Sequence, residues 1–153
     1  MHPYPHIYRA AARGAATGAT EITSRGLPAL QATPPVQFEG PEGMWSPETL
    51  LIAAVADCFV LTFRAVAQAS HFKWISLDCR VEGVLERVEG VARFTRFAIS
   101  ARLTIEPDAD VFKARDILGR SERSCLVGNS LRGQRVLESE IIVSASDATA
   151  AVP

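Results

Sequence analysis

Cysteine, histidine and tyrosine are scarce: the 153 residues hold three Cys, three His and two Tyr. Three unevenly placed cysteines are too few for a disulfide scaffold and lack the paired spacing of a zinc site. His2, His6 and His71 form no cluster, so neither a metal nor a cofactor is expected. Basic blocks are missing and the formal charge is −1, which points away from nucleic acid and anionic membranes. Met1-His2-Pro3-Tyr4 begins no basic n-region followed by an apolar h-region, and the protein is read as cytoplasmic. The unbroken apolar run Leu50–Ala56 is far short of the ~18–20 residues that span a bilayer, so no membrane segment is expected.

What is present describes a globular chain. Apolar residues make up 48%, which excludes a disordered chain. The length suits one domain over residues 1–153, with an ordered core at about 7–145 and a small, polar tail at 146–153 that is expected to be flexible. The organising stretch is Ser46 to Ser70. Ser46 can cap a helix, Pro47 fits its first turn, and Glu48 lies where the helix dipole favours an acid. No Gly or Pro interrupts Glu48 to Ser70. Leu50, Leu51, Ile52, Val55, Phe59 and Phe63 belong to an apolar set that covers nearly the whole circumference, as in a buried central helix.

Around it the chain alternates in a readable order. Ile7–Arg13, Thr20–Ser24 and Leu27–Thr33 read as short strands separated by glycine turns. Residues 34–43 form a Pro/Gly loop, with Phe38 and Trp45 expected to pack as wall residues. After the helix, Leu77, Cys79, Val81 and Leu85 alternate with charged residues, as in a strand with one wet face. Glu89-Gly90 turns the chain. Phe97, Ile99, Ala101, Leu103 and Ile105 continue the pattern on the return strand. A second helix begins at Pro107-Asp108, with Val111, Ala114, Ile117, Leu118 and Ser121 inward. A short helical segment follows Cys125, and Val136–Ser144 closes as a strand. Strands, a helix, a hairpin, helices and a strand give an α+β fold.

The cysteines carry the candidate chemistry. Cys79 alternates with apolar residues and reads as a small buried hydrophobe. Cys58, taken alone, reads the same way. Cys125, beside Gly128, Asn129 and Ser130, stands evenly between filler and function. No spacing rule joins Cys58 to Cys125, so the residues by themselves stop at a candidate thiol pair.

Two segments resemble a known family. Ser46-Pro47-Glu48 lies ten residues (Glu48 to Cys58) before Ala56-Asp57-Cys58-Phe59, and Ser121-Glu122-Arg123-Ser124-Cys125-Leu126 follows later in the chain. Both resemble the osmotically inducible protein C and organic hydroperoxide resistance (OsmC/Ohr) family, with Leu126 where the family usually has proline. The order of elements agrees over residues 8 to 144. The resemblance implies an OsmC-like α+β fold in an intertwined homodimer. It implies a thiol peroxidase in which Cys58 attacks an organic hydroperoxide, Cys125 resolves the sulfenic acid as a Cys58–Cys125 disulfide, and a dithiol, such as a lipoylated protein, reduces the pair. Glu48 is implied as the residue that holds an arginine at the site. At the two places from which the family supplies that arginine this chain has Thr17 and Gln37, so Arg13 and Arg25 are the basic residues expected to serve instead. The alternative is a stress-associated binding protein on the same fold with weak or no peroxidase activity.

Overall fold

A computed structural model describes residues 3–145. Two compact units divide the chain between Leu51 and Ile52. In the first, β1 (Ala11–Arg13), β2 (Thr20–Thr23) and β3 (Leu30–Ala32) form an antiparallel sheet in that order. The strands are shorter than their β-branched pattern suggests. A single 3-10 turn at Val36–Phe38 lies within the Pro/Gly loop. Gly40 closes the loop on Pro35, its amide donating to the Pro35 carbonyl at 3.0 Å. A Cβ there would sit 1.7 Å from the Pro34 oxygen, so only glycine fits. Phe38 and Trp45 are not the packed wall expected: they are 54% and 46% exposed.

The long helix α1 runs from Pro47 to Ala69. Ser46 caps it reciprocally: the Thr49 amide donates to Ser46 Oγ at 3.2 Å, and the Ser46 amide donates to Thr49 Oγ1 at 2.9 Å. Pro47 then takes a position where no intrahelical N–H bond is needed.

The second unit contains the hydrophobic core. β4 (Ser76–Val88) and β5 (Val91–Ile105) form a long antiparallel hairpin, and β6 (Gln134–Val143) pairs parallel to β5. The hairpin turns at Glu89 and Gly90, both with positive φ, as a tight two-residue turn requires. The register shifts between Val84 and Leu85, so Phe94 pairs with Leu85 and Arg96 with Val84. This β-bulge leaves Thr95 without a paired Cα and brings Phe94 to the core beside Phe97. Leu85, expected on the inner face, lies past the bulge and is 39% exposed.

Parallel pairing of β5 and β6 needs a crossover, which α2 (Val111–Ser124) and α3 (Leu126–Asn129) supply. α2 starts later than Pro107, because Asp110 is the residue whose carboxylate accepts from the Phe112 and Lys113 amides. Gly119 lies within it. Ala114, Ile117, Leu118 and Ser121 are its buried face, as the sequence predicts.

Val55, Phe59, Phe63 and Ala67 recur every fourth residue on α1 and are fully buried. They form one cluster with Phe97, Ile99, Leu103 and Ile105 of β5 and with Ile117 and Leu118 of α2. A single chain therefore buries one stripe of α1 rather than its circumference; Leu61 is 48% exposed. By length and composition the helix also passes for a membrane span, so the short unbroken run does not exclude one by itself. The buried stripe on a sheet is what a core helix requires.

Phe59→Ala is expected to lower stability by about 3–5 kcal/mol in urea unfolding, the usual cost of a fully buried aromatic. Leu61→Ala, on the exposed side, should cost far less in the isolated chain.

Candidate functional site

Cys58 sits near the middle of α1, where the backbone amides are already spent on intrahelical bonds. Backbone support for a thiolate must come from another element. That element is the start of α3. The Val127 amide donates to Cys58 Sγ at 3.4 Å, and Thr62 Oγ1, one turn along α1, lies 3.9 Å from the same sulfur. Cys125 caps α3, and its Sγ accepts from the Gly128 amide at 3.4 Å. All three thiols are free.

The two sulfurs interact directly, and their environments push them apart. Burial pushes the Cys58 thiol up, but the Val127 amide, the Cys125 thiol, the Thr62 hydroxyl and the Leu126 amide outweigh it. The net direction is down. Burial pushes Cys125 up to about 11. The Gly128 amide and the charge of Arg135 oppose this, while the hydrogen bond and charge of Cys58 reinforce it. Cys125 thus keeps its proton and can donate it to the Cys58 sulfur. Cys79, on the inner side of β4, is pushed up to about 11 by burial and by the Cys125 charge. It behaves as the small buried hydrophobe its alternation predicts.

Access is also unequal. Cys125 is 1% exposed, whereas Cys58 lines an open groove of about 710 Å³. Ala54, Leu61, Ala65 and Val66 of α1 and Leu126 and Val127 of α3 make that groove largely apolar. Asp57 and Arg120 bring one charge of each sign to it. A cavity of about 470 Å³ lies elsewhere, on the charged side of the second sheet. Its Arg102–Glu140 pair, at 2.9 Å, is well exposed on both sides, and no cysteine is among its lining residues.

The structure brings Cys58 and Cys125 together, which sequence spacing could not do. Glu48 lies in the first turn of α1, and its Oε2 is buried without a hydrogen-bond partner among the described residues. Arg13 and Arg25 are exposed residues of the first unit. The cation whose charge reaches Cys125 is one the sequence did not suggest. Arg135, from the start of β6, forms an ion pair with Glu122 at 2.7 Å and bonds to α3. Its strand position carries no motif. Thr62 had a signal, since it follows Cys58 by one helical turn.

Together these features define an α+β dithiol protein in which one accessible, acidified thiol faces one buried, protonated thiol. Residues 40–140 match the family described as OsmC-like protein, and the chain belongs to that family. The uncharacterised protein YmaD of Bacillus subtilis is 25% identical over 112 residues, covering 71% of this chain and 75% of that protein. Peroxiredoxin OsmC of Escherichia coli is 25% identical over 105 residues, covering 69% and 72%. A crystal structure of an organic hydroperoxide resistance protein OsmC from Legionella pneumophila superposes with a TM-score of 0.70 at 23% identity, covering 92% of this chain and all of that one. That structure shares the fold. The family thus relates this protein to peroxiredoxins and hydroperoxide resistance proteins.

Limiting iodoacetamide near neutral pH is expected to modify Cys58 before Cys125 and Cys79, by on the order of tenfold or more, because only the thiolate reacts. Reactivity at Cys58 should rise with pH at lower values than at the other two. Peptide mapping that finds Cys125 or Cys79 modified first would contradict the assignment.

Proposed function

We propose that this protein is a thiol-dependent peroxidase that reduces organic hydroperoxides. The observation that carries the reading is the split between the thiols. An acidified Cys58 opens on an apolar groove, and a Cys125 thiol that burial pushes up to about 11 adjoins it. In this reading the Cys58 thiolate attacks the terminal peroxide oxygen. The O–O bond breaks, the alkoxide takes a proton and leaves as alcohol, and Cys58 becomes a sulfenic acid. Cys125 then attacks that sulfur, water leaves, and a Cys58–Cys125 disulfide forms. An external dithiol, for example on a lipoylated protein, exchanges with the disulfide and is itself oxidised, restoring both thiols. An apolar groove favours peroxides with an organic body over hydrogen peroxide. The related hydroperoxide resistance and peroxiredoxin proteins support the same class of reaction. No metal or cofactor enters it, and the cytoplasm, where such thiols stay reduced, is the proposed compartment.

We also propose that the chain acts as one OsmC-like domain and assembles as a homodimer. Glu48 and Cys58 are separated by ten positions of uninterrupted helix, about 15 Å along a straight axis. If Glu48 serves the site, a second copy of α1 packed antiparallel by a two-fold axis is the simplest way to bring it there. The exposed face of α1 and the orphan Glu48 oxygen, which calls for a donor from elsewhere, support this assembly.

A second reading rests on a specific observation: two amides, the Cys125 thiol and the Thr62 hydroxyl, not a cation, lower Cys58, and Asp57 lines the same groove. On that ground the protein is a stress-associated binding protein with weak or no peroxidase activity.

Treatment of the reduced protein with a small excess of cumene hydroperoxide is expected to remove two thiols and leave Cys79 free, as read by thiol titration and intact mass. Cys58→Ser should abolish peroxide consumption. Cys125→Ser should permit one turnover and then accumulate sulfenic or sulfinic acid at Cys58. Equal peroxide consumption by Cys58→Ser and the parent would sink the peroxidase reading, and binding of the hydroperoxide without consumption would favour the second. Light scattering at micromolar concentration should give twice the chain mass; a monomer would exclude the assembly.

A further inference from the structure

Arg135 is the second residue of β6, paired in register with Phe97 of β5. All three of its guanidinium nitrogens are engaged. Nε donates to Glu122 Oε1 at 2.7 Å, Nη1 to the Gly128 carbonyl at 2.6 Å, and Nη2 to Asn129 Oδ1 at 3.0 Å. Glu122 precedes Cys125 on α2, whereas Gly128 and Asn129 follow it on α3. The guanidinium therefore ties both sides of the Cys125 turn to one strand. The contacts are mostly shielded, with the Arg135 and Glu122 side chains 20% and 18% exposed.

Gly128 makes this approach feasible. A Cβ there would lie 3.2 Å from Arg135 Cδ, 3.3 Å from its Nε and 3.4 Å from Cys125 Sγ. The first two distances are tight enough that the Arg135 side chain would have to give by a few tenths of an ångström. Further bonds lock the same turn: the Cys125 amide donates to the Glu122 carbonyl, and Asn129 Nδ2 donates to the Arg123 carbonyl at 2.9 Å. The amide that reaches Cys58 belongs to Val127, inside this clamped segment.

We propose that Arg135 is a positioning residue of the dithiol site, whose three-point clamp on Glu122, Gly128 and Asn129 holds the Val127 amide against Cys58 Sγ. Much of its charge is answered by Glu122, so its action on Cys58 is geometric. Lysine could keep the charge but could not reproduce the planar fork. A shielded ion pair of this kind adds little net stability by itself, which leaves geometry as its main consequence. The other charged groups around the thiols are Asp57 on α1 and Arg120 on α2, both on the groove, with the Cys79 thiol on β4. None of them bonds to the clamped turn.

The inference deepens the peroxidase reading, but its test needs no peroxide. The pH dependence of iodoacetamide reaction at Cys58 is followed by peptide mapping in the parent, Arg135→Lys, Arg135→Gln and Asn129→Ala. Circular dichroism confirms that each is folded. Arg135→Lys and Arg135→Gln are both expected to move the Cys58 midpoint upward by about one pH unit, a roughly tenfold loss of reactivity near neutral pH. Asn129→Ala, which removes one of the three clamp contacts together with the Asn129–Arg123 bond and leaves the other two clamp contacts in place, should move it less. If Arg135→Gln does not fold, Arg135→Lys and Asn129→Ala decide the matter. An unchanged Cys58 profile in folded Arg135→Lys overturns the clamp. So does a profile that lysine restores and glutamine does not, since that assigns the effect to charge. A shifted profile alongside a parent that consumes no peroxide would leave the clamp standing and remove the peroxidase reading.

Discussion

The backbone of a helix cannot stabilise a sulfur at the helix's middle, and this constraint governs the second unit. The amides around Cys58 are bonded one turn back along α1, and the helix dipole acts only near the ends. Burial alone would hold Cys58 in its protonated form. The 3.4 Å bond from the Val127 amide changes the balance, because α3 begins where Cys58 needs a free N–H. The first amides of a helix have no intrahelical acceptor, so one of them can serve a sulfur on another element without breaking a backbone bond.

The topology brings that amide into place. β5 and β6 run parallel, so the chain must cross from one end of the sheet to the other, and α2 and α3 make the crossing. The break between the two helices falls at Cys125, whose φ and ψ of −64° and 113° are extended. One residue thus ends α2, caps α3 and presents its thiol to Cys58. Ile117 and Leu118 anchor α2 in the same cluster that holds Phe59 and Phe63 of α1. The distance between the two thiols is therefore set by core packing on both sides of it. The inequality of the thiols has the same origin: Cys125 is enclosed by the turn, whereas Cys58 borders the groove.

Local patterns were enough to read most of the fold. The period-two runs of β5 and of β4 as far as Val81 gave the right inner faces, and the spacing of Ala114, Ile117, Leu118 and Ser121 gave that of α2. Ser46, Pro47 and Glu48 carried the start of α1. Misreadings arose where distant contacts decide. The first three strands are short because their pairing depends on neighbours, not on propensity. Leu85 lies past a bulge that no periodicity announces. Phe38 and Trp45 are apolar, yet nothing in their local sequence says how much of them a single chain will cover.

The sequence by itself determined the element order, the buried faces of β5 and α2, and two cysteine contexts specific enough to resemble a family. Those features depend on side-chain periods and short motifs, which act within a few residues. Only the tertiary structure decided that Cys58 and Cys125 meet, that an amide of α3 lowers the first while burial raises the second, and that Arg135 grips the turn between them. Those facts depend on sequence separations of 69 residues for Val127 and Cys58, and 13 for Arg135 and Glu122. Thiol acidity is set by the dipoles and burial around the sulfur, and these exist only once the core has packed.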